Sequence, residues 1–153
     1  METEDIKVAT EFKQEEIIYN GDIYYEYEFM DIKCIKTIRE GQNFYNFSQI
    51  CKNYKKCKLN DIVRNKYWTN YVNAIKQTYR YDKTNKSLTT KFYVVKNSEE
   101  LEQKYREINT NDFMFVVSGN FENNNKIKGT YYHEIFMNFF CEHVNVNYSI
   151  KVS

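Results

Sequence analysis

Proline is absent from this 153-residue chain, glycine occurs four times and tryptophan once. No low-complexity linker and no internal repeat interrupts it, so a string of separate modules is excluded. No apolar run approaches the roughly 18 residues that a membrane-spanning helix needs, and no membrane association is expected. The opening stretch METEDIKVATEFKQEE is acidic and polar, unlike a secretory signal peptide. A soluble, intracellular protein is therefore expected. Four cysteines, Cys34, Cys51, Cys57 and Cys141, form no C-x-x-C pair, and the two histidines stand ten positions apart. Zinc sites need much tighter spacing. The expectation is no metal, no cofactor and reduced thiols.

What the chain has instead is 15 Tyr and 11 Phe, with abundant Asn, Lys and Ile. The favoured residues share A/T-rich codons, so composition alone does not mark each Tyr or Asn as a binding residue. The length suffices for one full hydrophobic core. Net charge is +1, very unevenly spread. Residues 1–31 carry ten acids against two bases, 32–96 fifteen bases against three acids, and 97–153 five bases against eight acids. A basic middle flanked by acidic segments points to a polyanion-facing surface, or to a set of solvated faces.

Local patterns predict a mixed α and β chain. Asn20-Gly21 between strand-like 16–19 and 22–29 is a strong hairpin signal. Tyr25, Tyr27 and Phe29 alternate with Tyr24, Glu26 and Glu28, which predicts one buried face and one acidic solvent face. A strand over 32–39 and a turn at Glu40-Gly41-Gln42 follow. Asn46 and Gln49 form a capping-box pattern for a helix over 47–54. Leu59, Ile62, Val63 and Tyr67 fall at helical spacing, predicting a helix over 60–67 with Arg64, Asn65, Asp61 and Trp68 on its opposite side and a continuation over 69–77. Residues 78–96 read as a basic loop leading into a strand at 91–96, and Ser98 as the cap of a helix over 99–108. Strands are expected at 112–118 and 126–131. Thr130 is read as the cap of a helix over 131–143, with Tyr132, Ile135, Phe136, Phe139 and Phe140 as its core stripe. Asn145 would cap a last helix over 146–151.

Two blocks resemble the KilA-N family. One runs Ile38-Arg39-Glu40-Gly41 through Phe44-Tyr45-Asn46-Phe47-Ser48-Gln49-Ile50-Cys51-Lys52, then Lys58-Leu59 and Arg64-Asn65-Lys66. The other is Gly129-Thr130-Tyr131-Tyr132-His133 and, after an amphipathic helix, Tyr148-Ser149-Ile150-Lys151-Val152. Glu134 stands where the family usually has Pro, and Ile62 where an aromatic is common. Residues 78–110 look like an insertion. KilA-N domains occur in large DNA viruses, including poxviruses, and in phages, and they are similar to fungal APSES domains. In some poxvirus proteins the domain precedes a zinc-binding RING finger, for which a chain ending at Ser153 is expected to leave no room.

The resemblance implies an α+β, KilA-N/APSES-like fold with a helix-turn-helix-like core and a β-hairpin wing. It places the domain at 32–153 behind an acidic extension, 1–31, that carries its own hairpin. By analogy, 60–67 is the recognition helix and 112–131 the wing. The implied function is sequence-tolerant or AT-biased binding of double-stranded DNA, without catalysis, in the host cytoplasm or nucleus. Lys55, Lys56, Lys58, Arg64 and Lys66 suit phosphate contact because cationic side chains displace condensed counterions. Arg64 and Asn65 could also read guanine and adenine edges; the alternative is a helix-capping role. Lys126 and Lys128 would act from the wing. The competing reading is a protein-interaction module, capturing a host or viral protein or dimerising through an aromatic surface.

Overall fold

Two tight turns organise the first four strands. Asn20-Gly21 and Glu40-Gly41 have φ of 50° and 84°, and 49° and 75°. Positive φ at both central residues is the hairpin geometry whose twist matches that of the flanking strands. The turns join β1 (Glu16–Tyr19) to β2 (Asp22–Phe29) and β3 (Ile32–Arg39) to β4 (Gln42–Asn46). The structure is a computed structural model that describes residues 16–29, 32–54, 58–90, 99, 103–119 and 125–144. After β4 come α1 (Phe47–Tyr54), α2 (Leu59–Val63) and α3 (Lys66–Thr78). Strands β5 (Tyr79–Asp82), β6 (Ser87–Thr90) and β7 (Tyr105–Arg106) follow, then β8 (Met114–Val117), β9 (Gly129–His133) and α4 (Met137–Val144).

The architecture is α+β, with a six-stranded antiparallel sheet in the order β1-β2-β3-β4-β9-β8 and a three-stranded sheet in the order β6-β5-β7. The larger sheet is strongly curled. Tyr24 on β2 and Tyr131 on β9 lie three strands apart, roughly 14 Å in a flat sheet, yet their rings meet edge-on at 5.5 Å. The Arg39 guanidinium on β3 lies 3.5 Å from the centre of the Phe115 ring on β8, also three strands away. Inside the curl Tyr24, Ile35, Phe44, Val117, Ile127 and Tyr131 form a small core. The opposite face packs against the helices. There Trp68 meets Tyr132, Phe136 and Phe139 at 5.0, 5.1 and 5.5 Å, and Phe47 stacks on Phe140 at 4.1 Å.

Burial on both faces corrects the simple reading of β2. Glu26 and Glu28 face solvent as expected, but Tyr24, on the same alternation, is 1% exposed because it enters the curl. The hairpin at 16–29 is continuous with the rest of the sheet, since β2 pairs with β3 from Tyr24 opposite Thr37 to Phe29 opposite Ile32. The open edge of β3 beyond β4 is capped by α1: Gln49 Oε1 accepts from Ile35 N at 2.7 Å, and Asn53 Nδ2 donates to Lys33 O at 3.1 Å. These side chains satisfy strand groups that would otherwise invite another strand.

Helix α1 spans the expected 47–54, and Asn46 Oδ1 accepts from Gln49 N at 3.1 Å. Other local expectations are corrected. No continuous helix runs over 60–67, because the chain breaks at Arg64-Asn65 and restarts as α3. Trp68, read as outward, is 6% exposed, whereas Tyr67, read as inward, is 57% exposed. The break resets the helical phase and so inverts that assignment. Residues 79–90 are the β5–β6 hairpin, not a loop. A helix over 99–108 is excluded at its end, where β7 pairs with β5. Residues 110–112 form a 3₁₀ turn, and the strand begins at Met114. Residues 129–133 pair as β9 with both β4 and β8, so the expected return strand is displaced and the last helix starts later. His133, not Thr130, is a cap, of the 3₁₀ turn Glu134–Phe136 that leads into α4: its Nδ1 accepts from Ile135 N at 3.1 Å. The stripe loses Tyr132 to β9 and holds beyond it, with Ile135 half-buried, Phe139 buried and Phe136 and Phe140 fully buried. The expected strand at 91–96, the Ser98 cap and the helix over 146–151 lie outside the described residues.

Candidate nucleic-acid interface

The site is built around one short stretch, Lys126-Ile127-Lys128, whose three carbonyls are each held by a side chain. Gln49 Nε2 donates to Lys126 O at 2.9 Å. Tyr131 Oη donates to Ile127 O at 2.6 Å. Asn46 Nδ2 donates to Lys128 O at 2.9 Å and lies 3.4 Å from Ile127 O. Ile127 is fully buried inside the curl, which anchors the stretch from below, while the lysines on either side stay exposed. Alternation about an anchored residue thus sends two cations outward from a fixed backbone.

Gly129 makes this approach possible. Its φ is 145°, and a Cβ there would lie 2.3 Å from Asn46 Oδ1. Only a residue without a side chain lets Asn46 reach the two carbonyls. Thr130 N completes the junction by donating to Ser48 Oγ at 3.0 Å. The two sequence blocks singled out above therefore meet, because β4 of the first pairs with β9 of the second.

Two clefts flank this stretch. One, of about 550 Å³, is lined by Lys33, Lys52 and Lys126 together with Glu26 and Glu28. Glu26 Oε1 lies 3.6 Å from Lys126 Nζ, with both side chains largely exposed. The other, of about 500 Å³, is lined by Ser48, Lys52, Lys58, Asn60 and Thr130. Lys52 lines both and joins Lys126 to Lys58 along one surface. Lys33 and Lys52 were not singled out in the sequence as members of this basic surface, although Lys52 stands one helical turn after Ser48 on α1.

The remaining candidates divide. Lys58 is exposed just ahead of α2. Arg64, Asn65 and Lys66 sit at the joint between α2 and α3. Arg64 is exposed, and Lys66 lies 5.4 Å from the Tyr67 ring centre. Asn65 has the capping role: its Oδ1 accepts from Tyr67 N at 2.9 Å at the start of α3. Lys55 and Lys56 lie outside the described residues.

Burial sets the titration of His133, Tyr131 and Tyr132. His133 is 4% exposed; burial pushes its imidazole down to about 4 against an opposing pull from Glu134. Its Nδ1 is an acceptor and its Nε2 faces Gln42 Oε1, the neutral tautomer with Nε2–H donating. Burial pushes the Tyr132 phenol up to about 12 and the Tyr131 phenol higher still, so neither ionises near neutrality. Among the described residues no group of three or more His, Cys, Asp or Glu side chains could hold a metal ion. Among them, too, no helix is long and apolar enough to cross a membrane. Compared with known protein families, curated proteins and solved structures, the chain matches none.

Proposed function

We propose that this protein binds double-stranded DNA by gripping the phosphate backbone with Lys52, Lys58, Lys126 and Lys128. The observation that carries the reading is the Lys126–Lys128 stretch, held by three side chains beside a cleft surface shared with Lys52 and Lys58. Rigid backbone lowers the ordering cost of phosphate contact, and each cation that displaces a counterion adds salt-dependent affinity. The KilA-N resemblance supports the same reading and adds a finer fold assignment, with α1 and the broken segment 60–67, which spans α2 and the start of α3, as the helix-turn-helix pair and β8–β9 as the wing. The reading is non-catalytic, with weak or AT-biased sequence preference.

A salt titration of duplex-DNA binding tests it. With four to six phosphates neutralised, log affinity falls against log salt with a slope of about −4 to −5. Lys52→Ala and Lys126→Ala each flatten that slope by about one unit without changing sequence preference. No binding at 50 mM salt, or a slope near zero, overturns the proposal.

One observation favours the competing protein-interaction reading. Ile18, Ile23 and Ile38 are 72%, 44% and 45% exposed and lie on the three neighbouring strands β1, β2 and β3, Ile18 directly opposite Ile23. An exposed aliphatic row suits a protein partner better than a phosphate backbone. The aromatic side chains invoked for that reading are mostly spent in the two cores.

A further inference from the structure

Resting on the DNA-binding reading, a second question is which residues read bases, because Asn65 gives its carboxamide oxygen to the α3 cap. We infer that base edges are read by the outer face of α3, through Asn70, Asn73 and Gln77, with Lys66 at the leading end of the same stripe. These four residues are exposed and stand at i, i+4, i+7 and i+11. At 100° per residue they fall within an arc of about 60°. The opposite side buries Trp68 and Ile75, with Tyr71 and Val72 half-buried beside them. The helix is thus clamped by its core face, and the Tyr71 hydroxyl donates to Ile135 O at 2.6 Å. A polar stripe roughly 16 Å long is left facing out.

The chemistry of that stripe is specific. Helix α3 has 13 residues, KYWTNYVNAIKQT, and none is acidic. A helix face exposed only for solubility ordinarily mixes both signs; this one offers carboxamides and cations. Asn and Gln side chains present a donor and an acceptor together, matching the N6/N7 edge of adenine in the major groove. The polar character continues past the helix, where Asn73, Lys76, Gln77 and Arg80 line a cleft of about 360 Å³ with Glu107. Lys76 and Arg80 suit the phosphates that border the groove. The expected ligand is A·T-containing duplex DNA, entered through its major groove.

The test is selection of bound duplexes from a random library, run on the wild type and on Asn70→Ala/Asn73→Ala/Gln77→Ala. Alanine is the best helix former, so α3 persists, and thermal unfolding followed by circular dichroism checks that it does. The wild type enriches an A·T-containing motif. The triple variant binds random DNA with an unchanged salt slope but loses preference for that motif, by roughly five- to 150-fold per lost contact. A variant that selects the same motif overturns this inference and leaves DNA binding standing, as does a wild type that binds duplexes with no motif at all. Failure of both proteins to bind any duplex at 50 mM salt overturns the DNA-binding reading and this inference with it.

Discussion

Mild acid should destabilise this protein through a single imidazole before its carboxylates are fully titrated. His133 is 4% exposed and takes a proton in the folded state only near pH 4, because burial disfavours the charged form. In the unfolded chain an imidazole takes its proton near 6.5. Between these values the unfolded state holds more protons, so stability rises with pH. The contribution is fully present above about pH 7, and it is lost as pH falls through 6.5 toward 4. At 1.36 kcal/mol per unit the whole window is worth about 3 kcal/mol, of which about 2 kcal/mol falls between pH 7 and pH 5. Protonation would also remove the Nδ1 acceptor that caps the turn at Ile135. The assay is urea unfolding at pH 7, 6 and 5, followed by fluorescence of the single, buried Trp68. His133→Asn supplies the comparison, since Asn retains a cap acceptor but does not titrate. His143 and the carboxylates are common to both proteins and cancel. Wild type should lose about 2 kcal/mol more than the variant between pH 7 and 5. Equal losses would refute the buried, neutral imidazole.

Two further outcomes follow from the site. Gly129→Ala forces a Cβ into Asn46 at a φ of 145° and should cost about 2–4 kcal/mol by denaturant unfolding; combined with Asn46→Ala the losses should be clearly less than additive, and full additivity would mean that the two residues do not interact. Glu26→Gln with Glu28→Gln removes two carboxylates from the cleft shared with Lys33, Lys52 and Lys126, so DNA affinity should rise several-fold at low salt and the gain should shrink as salt rises, whereas an unchanged low-salt affinity would place the bound DNA away from that cleft.

Local chemistry alone specifies several parts of this molecule. Asn20-Gly21 needs only its own positive φ to turn β1 into β2, and Asn46 caps α1 across three residues. Phe136, Phe139 and Phe140 repeat at a helical period that any packed helix would bury. Tertiary structure decided the rest. Leu59 to Gln77 reads as one broken helical pattern whose phase depends on Asn65 acting as a cap in its middle. Tyr131 begins the expected helix and Tyr132 its stripe, but the free edge of β4 captures both as strand, because unpaired backbone groups at a sheet edge outweigh a modest helix preference. The curl that buries Tyr24 depends on strands three places apart. Lys126 and Lys128 face outward together because Asn46 and Gln49, some eighty residues earlier, hold the carbonyls between them. Short-range spacing encodes turns, caps and periods. Which carbonyl finds which distant donor is settled only when the sheet closes, and that closure positions the lysines.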